Sequence, residues 1–179
     1  MIKGSEFIGL PIKRENEKMM DYRVKDLIYT NNGSTLLAFI IKSPKISNRS
    51  TKVVPFKKIK EIQREGLVIS SENDIMFSHQ VPEIQEALIN PIKVIGFHIY
   101  NYHGELFGII KDTIIEKKRG NVIALVISKG IIDDFVEGYS ILPLVSYIEF
   151  QQDRIFLGDH ELNTLFLEGG GLKKLLGIE

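Results

Sequence analysis

Apolar residues along this chain gather in short runs of Ile, Val, Leu, Phe and Tyr, each closed by Gly, Asn, Asp or Pro. That pattern predicts strands separated by turns. The runs also recur. FIGLPIK (7–13) stands over VIGFHIY (94–100), YRVKDLIY (22–29) over GIIKDTII (108–115), and LLAFIIKS (36–43) over VIALVISK (122–129). VVPFKKIKEI (53–62) matches ILPLVSYIEF (141–150), and GLVIS (66–70) matches RIFLG (154–158). The offsets are 87, 86, 86, 88 and 88 residues, so five blocks keep their order with changes of at most two residues between them. Such spacing is the signature of an internal repeat. Asn31-Asn32-Gly33 and Arg119-Gly120-Asn121 carry the residues that tight hairpin turns require. AFII (38–41) and ALVI (124–127) are continuous where a half-buried strand would alternate, which predicts strands covered on both faces. The expected fold is all-β, a small barrel built twice, with residues 1–70 as copy one and 94–158 as copy two.

Between the copies, residues 71–93 read as a linker. Pro82 stands where a helix begins and Pro91 where one has ended, so VPEIQEALINP predicts a short helix. Residues 159–179 form a tether and a short amphipathic C-terminal helix. Leu172, Leu175 and Leu176 fall on one face of it, and Gly177 ends it. So short a helix does not hold alone in water, so these leucines are expected to dock, on the chain's own strands or on a partner.

Composition narrows the field. Hydrophobic residues make up 44% and charged residues 26% of the 179, as in folded domains, and net charge is zero. Residues 1–90 carry 14 basic and 11 acidic side chains and residues 91–179 carry 9 and 12, an asymmetry too mild to steer nucleic acid. The absence of cysteine removes disulfide frameworks, thiol catalysis and thiolate metal sites, and leans towards the cytosol. The first residues lack the apolar core of a signal peptide and no apolar run reaches bilayer length, so a cytoplasmic chain without membrane contact is expected.

With these blocks in place, each copy resembles the PRC-barrel. This module is named after the cytoplasmic domain of the photosynthetic reaction-centre H subunit and recurs as the C-terminal domain of a bacterial ribosome-maturation factor. Copy two carries the pattern in Ile95-Gly96, Gly104-Glu105, Gly108, Lys111-Asp112, Gly120 and Leu142-Pro143. Copy one carries it in Ile8-Gly9, Val24-Lys25-Asp26, Gly33 and Val54-Pro55-Phe56. It departs at Tyr22, which replaces a motif glycine, and at the Glu15-Asn16-Glu17-Lys18 turn. The resemblance implies two tandem PRC-type barrels of five or six strands and a bacterial assembly or interaction module. It implies no shared activity.

Candidate chemistry is sparse. Asp26 and Asp112, each after a lysine, read as carboxylates capping backbone amides at a strand bend. His79, His98, His103 and His160 lack metal-ligand spacing. Ser34, Ser128, Ser140 and Ser146 sit in no nucleophile elbow. Gly169-Gly170-Gly171 lacks the spacing of a phosphate cradle and reads as a hinge. No catalytic residue, cofactor or metal is expected. Two basic clusters, Lys57, Lys58, Lys60 and Arg64, and Lys117, Lys118 and Arg119, are candidate phosphate contacts, diluted by Glu61, Glu65 and Glu116.

The expected function is therefore a non-enzymatic protein-interaction or assembly module, with a protein or ribonucleoprotein partner and a second copy of the chain as a further candidate. Nucleic-acid binding through the basic clusters is one alternative, and a ligand or catalytic site between the barrels is another. Barrels of this size bury too little surface to be robust alone, so the pair is expected to share core. Thermal unfolding should then be a single cooperative transition by calorimetry; two well-separated transitions would count against a shared core.

Overall fold

The structure, a computed structural model, describes residues 1–15, 19–43, 51–130, 139–144, 150–151, 154–158, 164 and 166–167. The chain divides into two compact units, Met1–Ile92 with Glu116–Asn121, and Lys93–Ile115 with Val122–Glu179. Strands dominate, and a single α-helix is present among the described residues.

The first unit holds β1 (Ile2–Lys3), β2 (Pro11–Arg14), β3 (Met19–Tyr29), β4 (Leu36–Lys42), β5 (Lys52–Pro55), β6 (Ile59–Gln63), β7 (Gly66–Ile69), β8 (Met76–Phe77) and α1 (Pro82–Ile89). Its sheet runs β6-β7-β2-β3-β4-β5-β8. In the second unit β9 (His98–Asn101), β10 (Leu106–Ile115), β11 (Val122–Ser128), β12 (Ser140–Pro143), β13 (Phe150–Gln151), β14 (Arg154–Leu157) and β15 (Phe166–Leu167) run β13-β14-β9-β10-β11-β12-β15. The two strand orders correspond strand for strand, down to the parallel pairs β2–β7 and β9–β14 in otherwise antiparallel sheets.

The barrels expected from the sequence are not closed. Each strand path is open among the described residues, ending at β6 and β8 in one unit and at β13 and β15 in the other. Closure needs an unbroken ladder around the ring. β8 and β15 are two residues long and pair with one neighbour each, β5 and β12. The prolines lie at the ends of those neighbours. Pro55 and Pro143 pair with Ala38 and Ala124, beyond the reach of β8 and β15, so their missing N–H groups cost no ladder bond on that side.

Local irregularities match as well. Val24 pairs with Ile41 and Asp26 with Ile40, leaving Lys25 as a bulge; Ile110 pairs with Ile127 and Asp112 with Val126, leaving Lys111. Leu37 and Ile123 are extra residues on the facing strands, between the pairs of Ile28 and Tyr29 and of Ile114 and Ile115. Such bulges bend a strand and raise its twist, so one long strand serves two parts of a curved sheet.

Burial explains the continuous apolar runs. Phe39 and Ile41 of β4 are buried, with Phe39 against Phe7 and Phe56 at centroid distances of 5.0 and 6.0 Å. Ala38 of the same strand packs with Ile28, Val53, Ile84 and Ala87, where Ile40 also rests. Helix α1 thus covers the second face of the sheet, and β4 is apolar on both sides. The helix starts with Pro82 at its first turn and lies where the sequence predicted one. Eight residues do not sustain a helix in isolation, so docking of Ile84, worth about 2 kcal/mol, is what holds it. In β11, Ala124 and Val126 cluster with Ile114 and Ile141, while Leu125 and Ile127 are buried on the other side.

Two glycines separate backbone conformation from space. Gly9 (φ 85°) has nothing within 4 Å of where a Cβ would lie. Gly120 (φ 77°) would place a Cβ 3.0 Å from the Leu36 carbonyl oxygen and from Phe56 Cδ1, and its own carbonyl accepts from the Leu36 amide at 2.8 Å. Gly9→Ala should therefore cost about 1 kcal/mol from strain alone, and Gly120→Ala more than about 2 kcal/mol. Urea midpoints at constant m-value measure both; equal shifts would contradict the steric difference.

Candidate functional site

The aspartates at matching strand positions of the two units cap backbone. Asp26 Oδ1 accepts the Leu27 amide and Asp112 Oδ1 the Thr113 amide, both at 2.8 Å. Each carboxylate sits next to its bulge and satisfies a donor there, the role the sequence reading gave it.

The first basic cluster is divided. Lys58 pairs with the buried Asp74 at 3.4 Å, whose carboxylate also accepts the Ser70 and Ser71 amides, and Lys60 pairs with Glu15. These two lysines are committed to local structure. Arg64 is exposed in the β6–β7 turn, and Lys117 and Lys118 are exposed in the β10–β11 turn. Lys57 and Arg119, one from each cluster, line a common cavity of about 160 Å³ in the first unit. Its walls are apolar, from Leu36, Phe56, Val81 and Ile84, and Glu83 stands with the two cations.

The histidines are dispersed. His79 stacks on Phe77 with ring centroids 5.6 Å apart, His98 stacks on Tyr100 at 6.3 Å, and the His103 amide donates to Asn101 Oδ1. Among the described residues no three His, Asp or Glu side chains are grouped to hold a metal. Leu172, Leu175 and Leu176, with His160, Ser146 and Gly169–Gly171, lie outside the described residues.

A surface that local sequence reading missed lies across three strands of the second unit. Leu106 of β10 pairs with Tyr100 of β9, which pairs with Phe156 of β14. The next row holds Ile109, His98 and Arg154. Directly paired residues share a face of a sheet. Tyr100 and Phe156 rings lie 5.9 Å apart, and the Arg154 guanidinium sits 5.9 Å from the Tyr100 ring. Leu106 is 55% exposed, while Tyr100, Phe156 and His98 are half-buried. The opposite face carries the buried Ile99, Ile110 and Ile155, so the aromatic row points away from that core. Beside it Tyr102, 76% exposed, tops the β9–β10 turn. Asn101 fixes that turn by accepting the His103 and Glu105 amides, with Gly104 at φ 82°.

At the corresponding positions of the first unit, Lys13 of β2 pairs with Val68 of β7, and Pro11 and Gly66 stand where the second unit has His98 and Arg154. Lys13 pairs there with Glu65 at 3.2 Å. The same strand order is thus built without aromatics on this face.

Residues 93–161 match the family model described as PRC-barrel domain, and a PRC-barrel domain is present in that segment. No curated protein matches the chain. No helix among the described residues is long and apolar enough to cross a membrane.

The aspartates generate a prediction. Asp112 is 7% exposed and Asp26 is exposed, so Asp112→Ala should cost about 1–2 kcal/mol and Asp26→Ala less than about 1 kcal/mol. Urea unfolding reads both values, and an Asp26→Ala cost above that of Asp112→Ala would refute the capping account.

Proposed function

We propose that this chain is a non-catalytic interaction module whose partner is a protein, alone or within a ribonucleoprotein. The carrying observation is the outward row Leu106, Tyr100 and Phe156, with Arg154 beside it, inside the PRC-barrel segment. Tyrosine and arginine on a rigid, partly desolvated surface are the residue types that dominate binding energy at interfaces. A solvent-facing aromatic row is also costly to keep without a use. The first unit supports this, because its equivalent face lacks aromatics.

The same reading takes residues 1–92 as a diverged second PRC-type copy. Support comes from the matching strand orders, the matching bulges at Lys25 and Lys111, and the glycine turns at Gly9 and Gly96. Under it, Leu172, Leu175 and Leu176 are a second docking element in the tail. A nucleic-acid reading retains one observation in its favour, the cavity shared by Lys57 and Arg119. The ion pairs of Lys58 and Lys60 weigh against it.

The test is affinity capture from lysate, with and without nuclease, using the full chain, a Tyr100→Ser/Phe156→Ser variant, and a chain ending at Leu167. A nuclease-resistant partner lost from the double variant is expected. A partner lost only on truncation would move the interface to the tail. Capture abolished by nuclease or by modest added salt, and dependent on Lys57 and Arg119, would replace this reading with nucleic-acid binding.

A further inference from the structure

A groove of the first unit lies on the solvent side of β2–β3–β4, and none of its residues was a candidate site residue from the sequence. It encloses about 840 Å³ and opens to solvent. Its floor is apolar, from Ile8, Pro11, Met20 and Val24, and Ile8 is 47% exposed. Its rim carries Arg23, Lys25 and Lys42 against one carboxylate, Asp21. The strand register sets three of these in a row, since Pro11 pairs with Arg23 and Arg23 with Lys42. Arg23 is held in place by donating from Nη1 to the Gly9 carbonyl at 3.0 Å. Lys25 is the bulge residue, so the backbone irregularity itself turns it outward.

We propose that this groove binds an extended, acidic peptide segment of a partner protein, with carboxylates on Lys25, Lys42 and Arg23 and apolar side chains on Ile8 and Met20. The proposal rests on the interaction reading above and assigns the chemistry of its partner. Three cations against one carboxylate select an anionic occupant. An open groove leaves a small molecule largely in water, whereas small-molecule sites enclose most of their ligand. Single-stranded nucleic acid binds by stacking bases on aromatic rings, and no aromatic residue lines this groove. Its apolar floor suits leucine or valine side chains between acids. The fold does not demand the cations. In the second unit the positions of Arg23 and Lys42 hold Ile109 and Ser128, and of the three only Lys111 remains.

The experiment uses the full chain and a fluorescent twelve-residue peptide alternating glutamate with leucine, read by anisotropy. An alternating glutamine–leucine peptide and a twelve-nucleotide oligouridylate serve as comparators. Saturable binding of the acidic peptide is expected. Lys25→Glu/Lys42→Glu should weaken it about tenfold and Ile8→Ser about fivefold. Lys57→Glu/Arg119→Glu should leave it unchanged. All five positions changed in the test variants are on the surface, and matching urea midpoints establish that the variants are folded. No saturable binding, equal binding of the glutamine peptide, or insensitivity to Lys25→Glu/Lys42→Glu would overturn the assignment. Displacement by oligouridylate with the same lysine dependence would overturn it in favour of nucleic acid. If the peptide fails while the captured partner still depends on Tyr100 and Phe156, the groove assignment falls and the interaction reading stands.

Discussion

A pair of backbone hydrogen bonds closes the entry of each sheet, and the rest of the structure depends on it. The Gly9 amide donates to the Val24 carbonyl at 2.9 Å and the Val24 amide to the Leu10 carbonyl at 2.9 Å. The Gly96 amide donates to Ile110 at 2.8 Å, and the Ile110 amide to Phe97 at 2.9 Å. Gly9 and Gly96 have φ of 85° and 93°, a region in which a side chain is strained. The turn therefore fixes the strand immediately before its bulge. Beyond the bulge the inward and outward positions exchange, because one added residue reverses the alternation of the strand. The aspartate that follows accepts the next amide, so the irregularity leaves no donor stranded. Glycine, aspartate and the extra lysine form one device for bending a strand.

That device divides the sequence into positions the fold consumes and positions it leaves free. Gly, Asp and the buried apolar residues are consumed in both units. The outward positions differ. The first unit sets Arg23, Lys25 and Lys42 over an apolar floor, and the second sets Leu106, Tyr100 and Phe156 across three strands. Since two sheets with one strand order tolerate such different faces, neither face is required for folding. Each is open to selection for binding.

The same division explains what was legible in the sequence. Strand positions, turn glycines, the helix between Pro82 and Pro91 and the doubly covered runs all rest on local pattern. Asp26 and Asp112 were readable because a carboxylate beside a bend acts on its nearest amide. The closed barrel was not, since closure depends on whether β8 and β15 extend far enough to pair on both sides. The partners of the first basic cluster were not legible either, because charge was counted along the chain. Lys60 finds Glu15 from 45 positions away and Lys58 finds Asp74, so neighbours in sequence have different partners in space. The aromatic row was hidden for a related reason. Its members, residues 100, 106 and 156, become adjacent only once the parallel pairing of β9 with β14 is known.

Where these surfaces lie bears on how they would work. Neither the groove nor the aromatic row is carried by a long loop; both are borne mainly on strands whose reverse faces are packed into core. Side chains on such strands have few accessible arrangements, so less conformational entropy is lost when a partner orders them. Arg23 is further restrained by its bond to the Gly9 carbonyl, and Tyr100 by its contacts with His98, Phe156 and Arg154. Preorganisation of this kind raises affinity without adding contact area. It suits an open sheet face, which lacks the depth to enclose a ligand and must obtain its affinity from rigid, well-placed side chains.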